Sequence, residues 1–398
     1  MSLLFLSNGH GEDLNSSLII QALRKQRPDI AITALPLVGE GDAYRRLGVE
    51  LIGPTQALPS GGMVYTHPLN WLKDLMSGLL GLTWQQLMAL GRYRQTTDLV
   101  MAVGDIVPIF FAHLVNRPYA AFLVSTSSYY EGRLRLPWLT RYCLRHPRCV
   151  TVFTRDRFTC EDLHRQGMAK AQFAGYPIMD ALNLSQCDLE LNLSQVMVAI
   201  LPGSRVPEAL RNLELQLQIC EAVARLEPTQ FRVALVKAIT PDQLQALAVA
   251  AGWDYHPEGR LSKSLGSQSI QVRAYWGAFA DIIHHCDIAL GMAGTAVEQA
   301  VGLGKPVVQI AGQGPQFTYR FAEAQMRLLG DSVTTIGHAY GKVGPQHLEA
   351  IATTLVARAH DQSYRQRCLA NGLERVGEPG GSAGIATGLS HYCPSPRA

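Results

Sequence analysis

The sequence lacks closely spaced cysteine pairs, although it contains eight cysteines in 398 residues. Without a Cys-x-x-Cys motif there is no sign of a disulfide framework or a zinc site, and a chain of this length folds without such cross-links. We therefore interpret the cysteines as reduced thiols, which favours a cytoplasmic protein. They are Cys143, Cys149, Cys160, Cys187, Cys220, Cys286, Cys368 and Cys393.

Long apolar runs and a strong charge imbalance are also missing. No stretch reaches the roughly 18 apolar residues of a membrane span, and the N-terminal MSLLFLSNGH lacks the basic start of a signal peptide. The net charge of +3 is too small to predict a nucleic-acid partner. The sequence predicts a soluble two-domain chain that contacts a membrane at most peripherally, with a core supported by its 47% hydrophobic composition.

The common nucleotide and hydrolase motifs are incomplete. The stretch GHGEDL has Leu14 where a dinucleotide fingerprint has its third glycine, and Lys305 precedes a proline where a P-loop has Ser or Thr. The stretch GGSAG at 380–384 matches the GxSxG of serine hydrolases but does not follow a strand. We predict that it begins the last helix, with Ser382 as the cap, and that the chain is neither a dehydrogenase, a P-loop NTPase nor a serine hydrolase.

Short apolar runs alternate with helical patterns along the whole chain. SLLFLS is followed by NSSLIIQALRKQ, DLVMAVG by DIVPIFFAHLVN, and VMVAILPGSR by NLELQLQICEAVARLE. This alternation is typical of βαβ units and a parallel sheet. The rhythm weakens over 174–195, which is rich in Asn, Ser and Gln. We predict two Rossmann-like α/β domains, 1–185 and 186–398, and treat the last helix as a candidate to pack back on the first domain.

SNGHGEDL, residues 7–14, follows the first predicted strand, where ligands bind in an open parallel sheet. Gly9 and Gly11 permit tight backbone geometry, while His10, Glu12 and Asp13 offer a proton acceptor or hydrogen-bond acceptors for hydroxyls. The plainer alternative is a helix cap at Asp13 or the nearby Asn15 and a simple glycine turn. A cap would not explain the histidine or both glycines.

The stretch AILPGSRVPEALRN, residues 199–212, predicts a strand, a turn and a helix. Gly203 and Ser204 can offer a backbone N–H and a hydroxyl to a phosphate, and Arg205 can add a bidentate charge. An ordinary turn with a surface arginine is the alternative.

A sharper signal lies in DIALGMAGTAVEQAVGLGKPVV, residues 287–308. The predicted strand runs into Gly291, Gly294 and Thr295, so a diphosphate can lie against the N-terminus of the next helix. Glu298, one turn further, can accept hydrogen bonds from ribose hydroxyls. Tight packing alone would explain the small residues but not this acid.

These stretches, together with AGYPIMD and DLVMAVGDIVP, resemble the lipid-A-disaccharide synthases over almost the whole chain. The resemblance implies a GT-B fold, with two Rossmann-like domains facing a central cleft. It implies an inverting glycosyltransferase whose C-terminal domain holds a UDP-sugar through Arg205, the Gly294–Thr295 turn and Glu298. It also implies a lipid acceptor on the N-terminal domain. The opening loop departs from that family, and His10 there is similar to the MurG type of peptidoglycan glycosyltransferase, so a different acceptor is an alternative.

Transfer with inversion needs a base for the acceptor hydroxyl and stabilisation of the departing UDP. The candidates for the base are Asp105, His10 and Asp13, in no fixed order. We expect no metal and no cofactor, because a helix dipole and Arg205 can neutralise the leaving group and no Asp-x-Asp motif is present. His284 and His285 of the HHCD stretch are expected at a helix end rather than in a metal site.

Two segments of the N-terminal half are candidates for peripheral contact with an anionic membrane. Residues 70–94 are apolar and helical in pattern, and residues 129–148 combine five arginines with aromatic side chains. Both compositions suit a bilayer interface, which would place the protein at the inner face of the cytoplasmic membrane. The alternatives are a buried core helix for the first segment and a solvated basic loop for the second.

Two other functions use the same fold and nucleotide pocket. A UDP-sugar 2-epimerase would act on the sugar without an acceptor, and a non-catalytic relative would bind UDP-sugar only. Release of UDP on addition of a lipid acceptor separates transfer from epimerisation.

Overall fold

Two α/β units build the protein in the computed structural model, which describes residues 1–56, 79–312, 317–337, 343 and 345–393. The first unit comprises Met1–Ala181 and Glu378–Ala398, and the second comprises Leu182–Gly377. The division after Ala181 lies four residues before the boundary expected from the sequence. Each unit has its own apolar core, so each is considered separately.

The first unit is built on a parallel sheet. In its described part seven strands follow the order β3-β2-β1-β4-β5-β6-β7. They are β1 (Ser2–Ser7), β2 (Ala31–Pro36), β3 (Glu50–Leu51), β4 (Leu99–Val103), β5 (Tyr119–Leu123), β6 (Cys149–Thr154) and β7 (Ala171–Gln172). The central strands β1, β4 and β5 are buried along almost their full length, which explains why their sequences are continuous apolar runs.

Helices cover both faces of this sheet, as parallel connections require. They are α1 (His10–Gln26), α2 (Asp42–Arg46), α3 (Leu79–Tyr93), α4 (Ile106–Val115), α5 (Trp138–Arg145) and α6 (Arg157–Arg165). Helix α6 begins at a conventional cap, where the Asp156 carboxylate accepts a hydrogen bond from the Thr159 N–H at 2.6 Å. Residues 70–78 of the apolar segment 70–94 lie outside the described residues.

The second unit has a mixed sheet. Its described strands follow the order β10-β11-β12-β9-β8-β13-β14-β15, and all neighbours are parallel except β10–β11 and β11–β12. They are β8 (Val196–Leu201), β9 (Thr229–Leu235), β10 (Asp254–His256), β11 (Arg260–Leu265), β12 (Gln268–Trp276), β13 (Ile288–Gly291), β14 (Val307–Ile310) and β15 (Val333–Ile336). The antiparallel addition at one edge was not predicted from the sequence.

The helices of the second unit connect these strands and cover the sheet. They are α7 (Glu208–Ala224), α8 (Pro241–Ala250), α9 (Phe279–His285), α10 (Thr295–Gly302), α11 (Tyr319–Leu329), α12 (Pro345–His360) and α13 (Gln362–Arg375). Helix α8 starts with a capping box between Thr240 and Gln243, with proline at its first position. His284 and His285 end helix α9, as the sequence predicts.

The last helix, α14 (Gly381–Ser390), belongs to the first unit and packs on α1. The Gln26 side-chain amide donates to the Ala383 carbonyl at 3.1 Å. A methyl group added at Gly381 would lie only 2.5 Å from the Tyr176 backbone, so this glycine of the GxSxG-like motif permits close packing.

The prediction that Ser382 caps this helix is wrong. The cap residue is Gly380, and Ser382 lies inside the helix. The Asp180 carboxylate accepts hydrogen bonds from the backbone N–H groups of Gly380 and Ser382, the latter at 2.7 Å. Because one carboxylate satisfies two free helix donors, a serine cap is not needed. This contact gives the aspartate of the AGYPIMD stretch a structural role.

Candidate functional site

Each sheet has one place where successive connections leave in opposite directions. In the first unit β1 lies between β2 and β4, and in the second β8 lies between β9 and β13. Ligands of open α/β sheets bind outside the carboxyl ends of the strands at such switch points. The loops after β1 and β4, and those after β8 and β13, are therefore the candidate sites. They carry most of the residues that the sequence analysis selected.

The loop after β1 is shorter than the sequence suggested. Helix α1 begins at His10, and its cap residue is Gly9 with a φ of 148°, so His10 to Leu14 form the first helical turns. The alternative that Asp13 or Asn15 caps the helix is wrong, since both lie within it and no side chain accepts a cap hydrogen bond. The side chain of His10 lies outside the described part of the chain. Its role as a base stays a prediction.

Asp105 caps α4 at the carboxyl end of β4. Its Oδ1 accepts hydrogen bonds from the Val107 N–H at 2.9 Å and from the Asn8 side-chain amide at 3.3 Å. Burial raises the pKa of the Asp105 carboxyl, the Val107 hydrogen bond lowers it, and the negative charge of Glu12 raises it. The carboxyl is half-buried, which suits a base that a ligand can reach.

Three further polar residues lie at this edge: Glu12, which the sequence indicated as a possible hydrogen-bond acceptor, and Asn8 and Ser125, which it did not. The Ser125 hydroxyl donates to the Glu12 carboxylate at 2.7 Å, and Asn8 contacts Asp105 as described. A methyl group added at Gly104 would lie 3.3 Å from the Glu12 side chain, so Glu12 is close to the β4 loop. The signal that could have found Asn8 and Ser125 is their position just after β1 and β5.

Asp13 does not face this group of residues. Its side chain is 2% exposed, and its Oδ1 accepts from the Ser7 hydroxyl at 2.5 Å. The same Ser7 oxygen lies 2.5 Å from the hydroxyl of the fully buried Tyr44. Burial raises the pKa of the Asp13 carboxyl to about 7. Asp13 therefore belongs to a buried hydrogen-bond network with Ser7 and Tyr44 on the inner side of α1.

The two candidate loops of the second unit lie against each other. The Met292 N–H donates to the Leu201 carbonyl at 2.8 Å, and a methyl group added at Gly203 would lie 3.1 Å from the Met292 oxygen. Gly203 has a φ of 104°, a conformation that favours glycine. Ser204 is exposed, and Arg205 is half-buried in the turn before α7.

Gly294 is the cap residue of α10, Thr295 is its first residue, and Glu298 lies in its first turn. The first N–H groups of a helix have no partner within it, and the helix dipole favours an anion there. Gly291 has a separate role, since a methyl group on it would lie 2.5 Å from the Val297 side chain. Tight packing therefore explains Gly291, whereas Thr295 is exposed at the helix end.

Metal ligation and membrane spanning find no support in the described residues. Within the described ranges, no group of three or more His, Cys, Asp or Glu side chains is arranged to hold a metal ion. No helix among the same residues is both long and apolar enough to cross a bilayer.

Known proteins resemble this chain in fold and, more weakly, in sequence. No protein-family model matches it. Solved structures with a similar fold include the glycotransferase of kitacinnamycin (16% identity, TM-score 0.59, 99% of both chains covered). They also include a UDP complex of MnaA from S. aureus (14%, 0.57, 100% of both chains) and the Neisseria meningitidis UDP-GlcNAc 2-epimerase bound to UDP-GlcNAc (13%, 0.55, 98% and 100%). The fold is α/β of the GT-B type.

Among curated proteins, the chain is similar to lipid-A-disaccharide synthases. The Syntrophus aciditrophicus protein is 25% identical over 238 residues, which cover 58% of this chain and 55% of that protein. The protein from a Synechocystis species is 24% identical over 324 residues, which cover 77% and 74%. The chain thus matches only about half the length of the first of these relatives.

Proposed function

We propose that the protein is an inverting glycosyltransferase that moves a sugar, of the N-acetylglucosamine or acylated glucosamine type, from a UDP-sugar to a lipid-linked acceptor. One observation carries the proposal. The switch-point loops of both sheets hold the polar and small residues that this chemistry requires, in a chain similar to lipid-A-disaccharide synthases. UDP and UDP-GlcNAc complexes of proteins with the same fold support a UDP-sugar as the donor.

The second unit would bind the donor. Its diphosphate would lie at the N-terminus of α10, against the Gly294–Thr295 turn and the loop of Gly203 and Ser204. There the helix dipole and the Arg205 guanidinium would stabilise the charge that develops on the departing UDP. Glu298 would accept hydrogen bonds from the ribose hydroxyls. In this scheme neither a metal nor a cofactor takes part.

The first unit would bind the acceptor and supply the base. Asp105 is the strongest of the three candidates, because its carboxyl is half-buried at the switch point and its pKa is raised. Its Oδ1 already accepts two hydrogen bonds, which orient the carboxyl. Asp13 is too deeply buried to contact an acceptor.

Calorimetric titration with UDP and UDP-N-acetylglucosamine tests the donor site. We expect the intact protein to bind both, and Arg205→Ala and Glu298→Ala each to weaken binding by more than about 1 kcal/mol, the scale of a hydrogen bond to a charged group. Glu214→Ala and Arg225→Ala are the controls, because both residues are exposed and Arg225 lies at the opposite end of α7 from the turn. If the intact protein bound neither nucleotide, the UDP-sugar proposal would be wrong.

A UDP-sugar 2-epimerase is the second candidate, favoured by the fold shared with the Neisseria meningitidis enzyme. Incubation with UDP-N-acetylglucosamine alone distinguishes the two. An epimerase converts the sugar without an acceptor, whereas a transferase releases UDP only when an acceptor is added. If UDP bound and neither product formed with any lipid acceptor, the non-catalytic alternative would be supported.

We also propose that the protein docks on an anionic membrane surface, as a cytoplasmic peripheral protein. Helix α5 supports this, since Trp138 and Tyr142 are 78% and 54% exposed one turn apart on it, and Arg141 is exposed beside them. Arg133 and Arg135, in the segment before the helix, are exposed as well. An exposed tryptophan among arginines suits the headgroup region of a bilayer.

The docking surface predicts how vesicle binding changes. We expect binding to vesicles of phosphatidylglycerol and phosphatidylcholine, and Arg133→Ser with Arg141→Ser to weaken it about tenfold or more, at roughly 1 kcal/mol per arginine. Sedimentation with the vesicles measures this, and Arg211→Ser in the second unit is the control. Equal binding to pure phosphatidylcholine would contradict an electrostatic surface.

A further inference from the structure

Three buried amide side chains lie behind the two candidate loops of the second unit. Asn212 and Gln216 are on α7, Gln325 is on α11, and each is at most 5% exposed. Polar side chains are rarely this deeply buried unless their hydrogen bonds are needed. We call these three residues the buried amide layer.

Each amide donates to a carbonyl at the end of β8 or β13, or in the loop that follows. The Asn212 amide donates to the Pro202 carbonyl at 2.9 Å, and the Gln325 amide donates to the Gly294 carbonyl at 2.8 Å. The Gln216 amide donates to the carbonyls of Leu201 and Leu290, at 3.3 and 3.1 Å. The layer therefore holds both loops by their carbonyl oxygens.

The direction of these carbonyls also determines the direction of the backbone N–H groups that follow them. In a trans peptide the C=O and the following N–H point in opposite directions, and the described chain has a cis bond only at Val206–Pro207. The Gly294 carbonyl accepts from the Gln325 amide and also from the Val297 and Glu298 N–H groups of α10, at 3.1 and 3.3 Å, so the N–H of Thr295 points away from the layer. The N–H of Gly203 likewise points away from Asn212. Both N–H groups belong to loops that would bind the diphosphate.

The same contacts remove an electrostatic obstacle. A carbonyl oxygen is partly negative, so one directed at a diphosphate would repel it, whereas a carbonyl bonded to an amide is directed away. We propose that the buried amide layer positions the donor diphosphate, by holding two loop carbonyls inward and two N–H groups outward, at Gly294 together with the first turn of α10. This inference rests on the proposed UDP-sugar function and gives residues that touch no substrate a role in binding it.

A substitution at Gln325 can distinguish a role of the amide layer in UDP binding from a role in stability. Its Oε1 is buried and, within the described ranges, has no hydrogen-bond partner. Burying such an oxygen is unfavourable, so an isosteric methionine would relieve that cost. If the amide served stability alone, Gln325→Met would lower the melting temperature and leave the UDP affinity of the folded protein unchanged. If it positions the loop, UDP affinity falls while the fold remains stable.

The experiment is calorimetric titration of UDP into the intact protein, Gln325→Met and the control Gln309→Met. Gln309 is an equally buried amide, but its side chain donates to the Ala322 carbonyl and the Thr335 hydroxyl, which belong to neither loop. We expect the dissociation constant to rise about five- to tenfold for Gln325→Met and to stay unchanged for Gln309→Met. Each variant removes a donor from a buried carbonyl, so thermal melts are recorded to show that both are folded at the titration temperature.

Gln325→Glu adds a pH readout that a purely structural residue would not show. A protonated carboxyl donates to the Gly294 carbonyl as the amide does, whereas an ionised one repels it, so UDP affinity relative to the intact protein should fall as pH rises. Gln325→Met should show no such trend. Intact protein that binds UDP while Gln325→Met binds equally well overturns this inference only. Intact protein that does not bind UDP overturns the proposed function and this inference together.

Discussion

Replacing Asp105 with Asn is expected to slow sugar transfer by about two to four orders of magnitude while leaving UDP affinity unchanged. Asparagine caps a helix as well as aspartate does, so the hydrogen bond to the Val107 N–H and the start of α4 are retained. What is lost is the ability to accept a proton. Initial rates with saturating donor and acceptor measure the effect.

The pH dependence of the transfer rate provides a second test of Asp105 as the base. A base must be ionised, so activity should fall as pH decreases through the raised pKa of Asp105. Glu12→Gln removes a negative charge that raises this pKa, and the fall in activity should move to lower pH. Asp98→Asn is the control, because Asp98 is exposed and precedes the opposite end of β4, where it accepts from the Ser2 N–H. A fully active Asp105→Asn would assign the base elsewhere, with His10 as the next candidate.

Compared with the intact protein, Asp13→Asn is expected to be more stable at high pH than at low pH. The folded-state pKa of Asp13 is raised to about 7 from its ordinary value, so the folded protein binds the proton more tightly than the unfolded chain. Stability therefore falls as pH rises between about 4 and 7, and levels off above. Asparagine resembles the protonated carboxyl and does not ionise, so the stability of Asp13→Asn does not fall in this way.

Urea unfolding of both proteins at about pH 5 and about pH 8 measures the effect. At 1.36 kcal/mol per pH unit, the two units between pH 5 and 7 lower the free energy of unfolding of the intact protein by roughly 3 kcal/mol. The difference in unfolding free energy between Asp13→Asn and the intact protein should therefore be about that much larger at pH 8 than at pH 5. Ser7→Ala is a useful companion, since it removes the hydrogen bond that lowers this pKa and should extend the loss of stability to higher pH. A parallel pH response of the intact protein and Asp13→Asn would show that Asp13 is ionised in both states.

The core of the fold could be predicted because its signals are local. The continuous apolar runs that became β1 and β8 and the helical pattern after each are set by burial on both faces of a parallel sheet. The strands β11 and β12 were missed for the opposite reason. Exposed Arg260, Gln268 and Gln271 interrupt their apolar residues at the edge of the sheet, where burial is incomplete.

The candidate site could be predicted only in part. The glycines near residues 203 and 294 have backbone roles that are visible in the sequence, and their loops do lie together. Ser125 and the buried amide layer could not be found, because their partners are far away along the chain: Gln325 is 31 residues from Gly294, and Ser125 is 113 residues from Glu12. The burial of Asp13 could not be predicted either, because it depends on the packing of Tyr44, which contacts Ser7 from 37 residues away along the chain.

The contact of α14 with α1 affects the order in which the protein folds during synthesis. Ala181 is the last residue of the first unit's main segment, yet that unit also needs residues up to Ser390, which are translated 209 positions later. At about 5 to 20 residues per second, the ribosome takes roughly 10 to 40 seconds to cover that distance. During this time the surface of α1 that receives α14 lacks its partner, and the Asp180 carboxylate lacks the N–H donors of Gly380 and Ser382. The second unit, which is continuous in sequence, is fully synthesised before α14 can join the first unit.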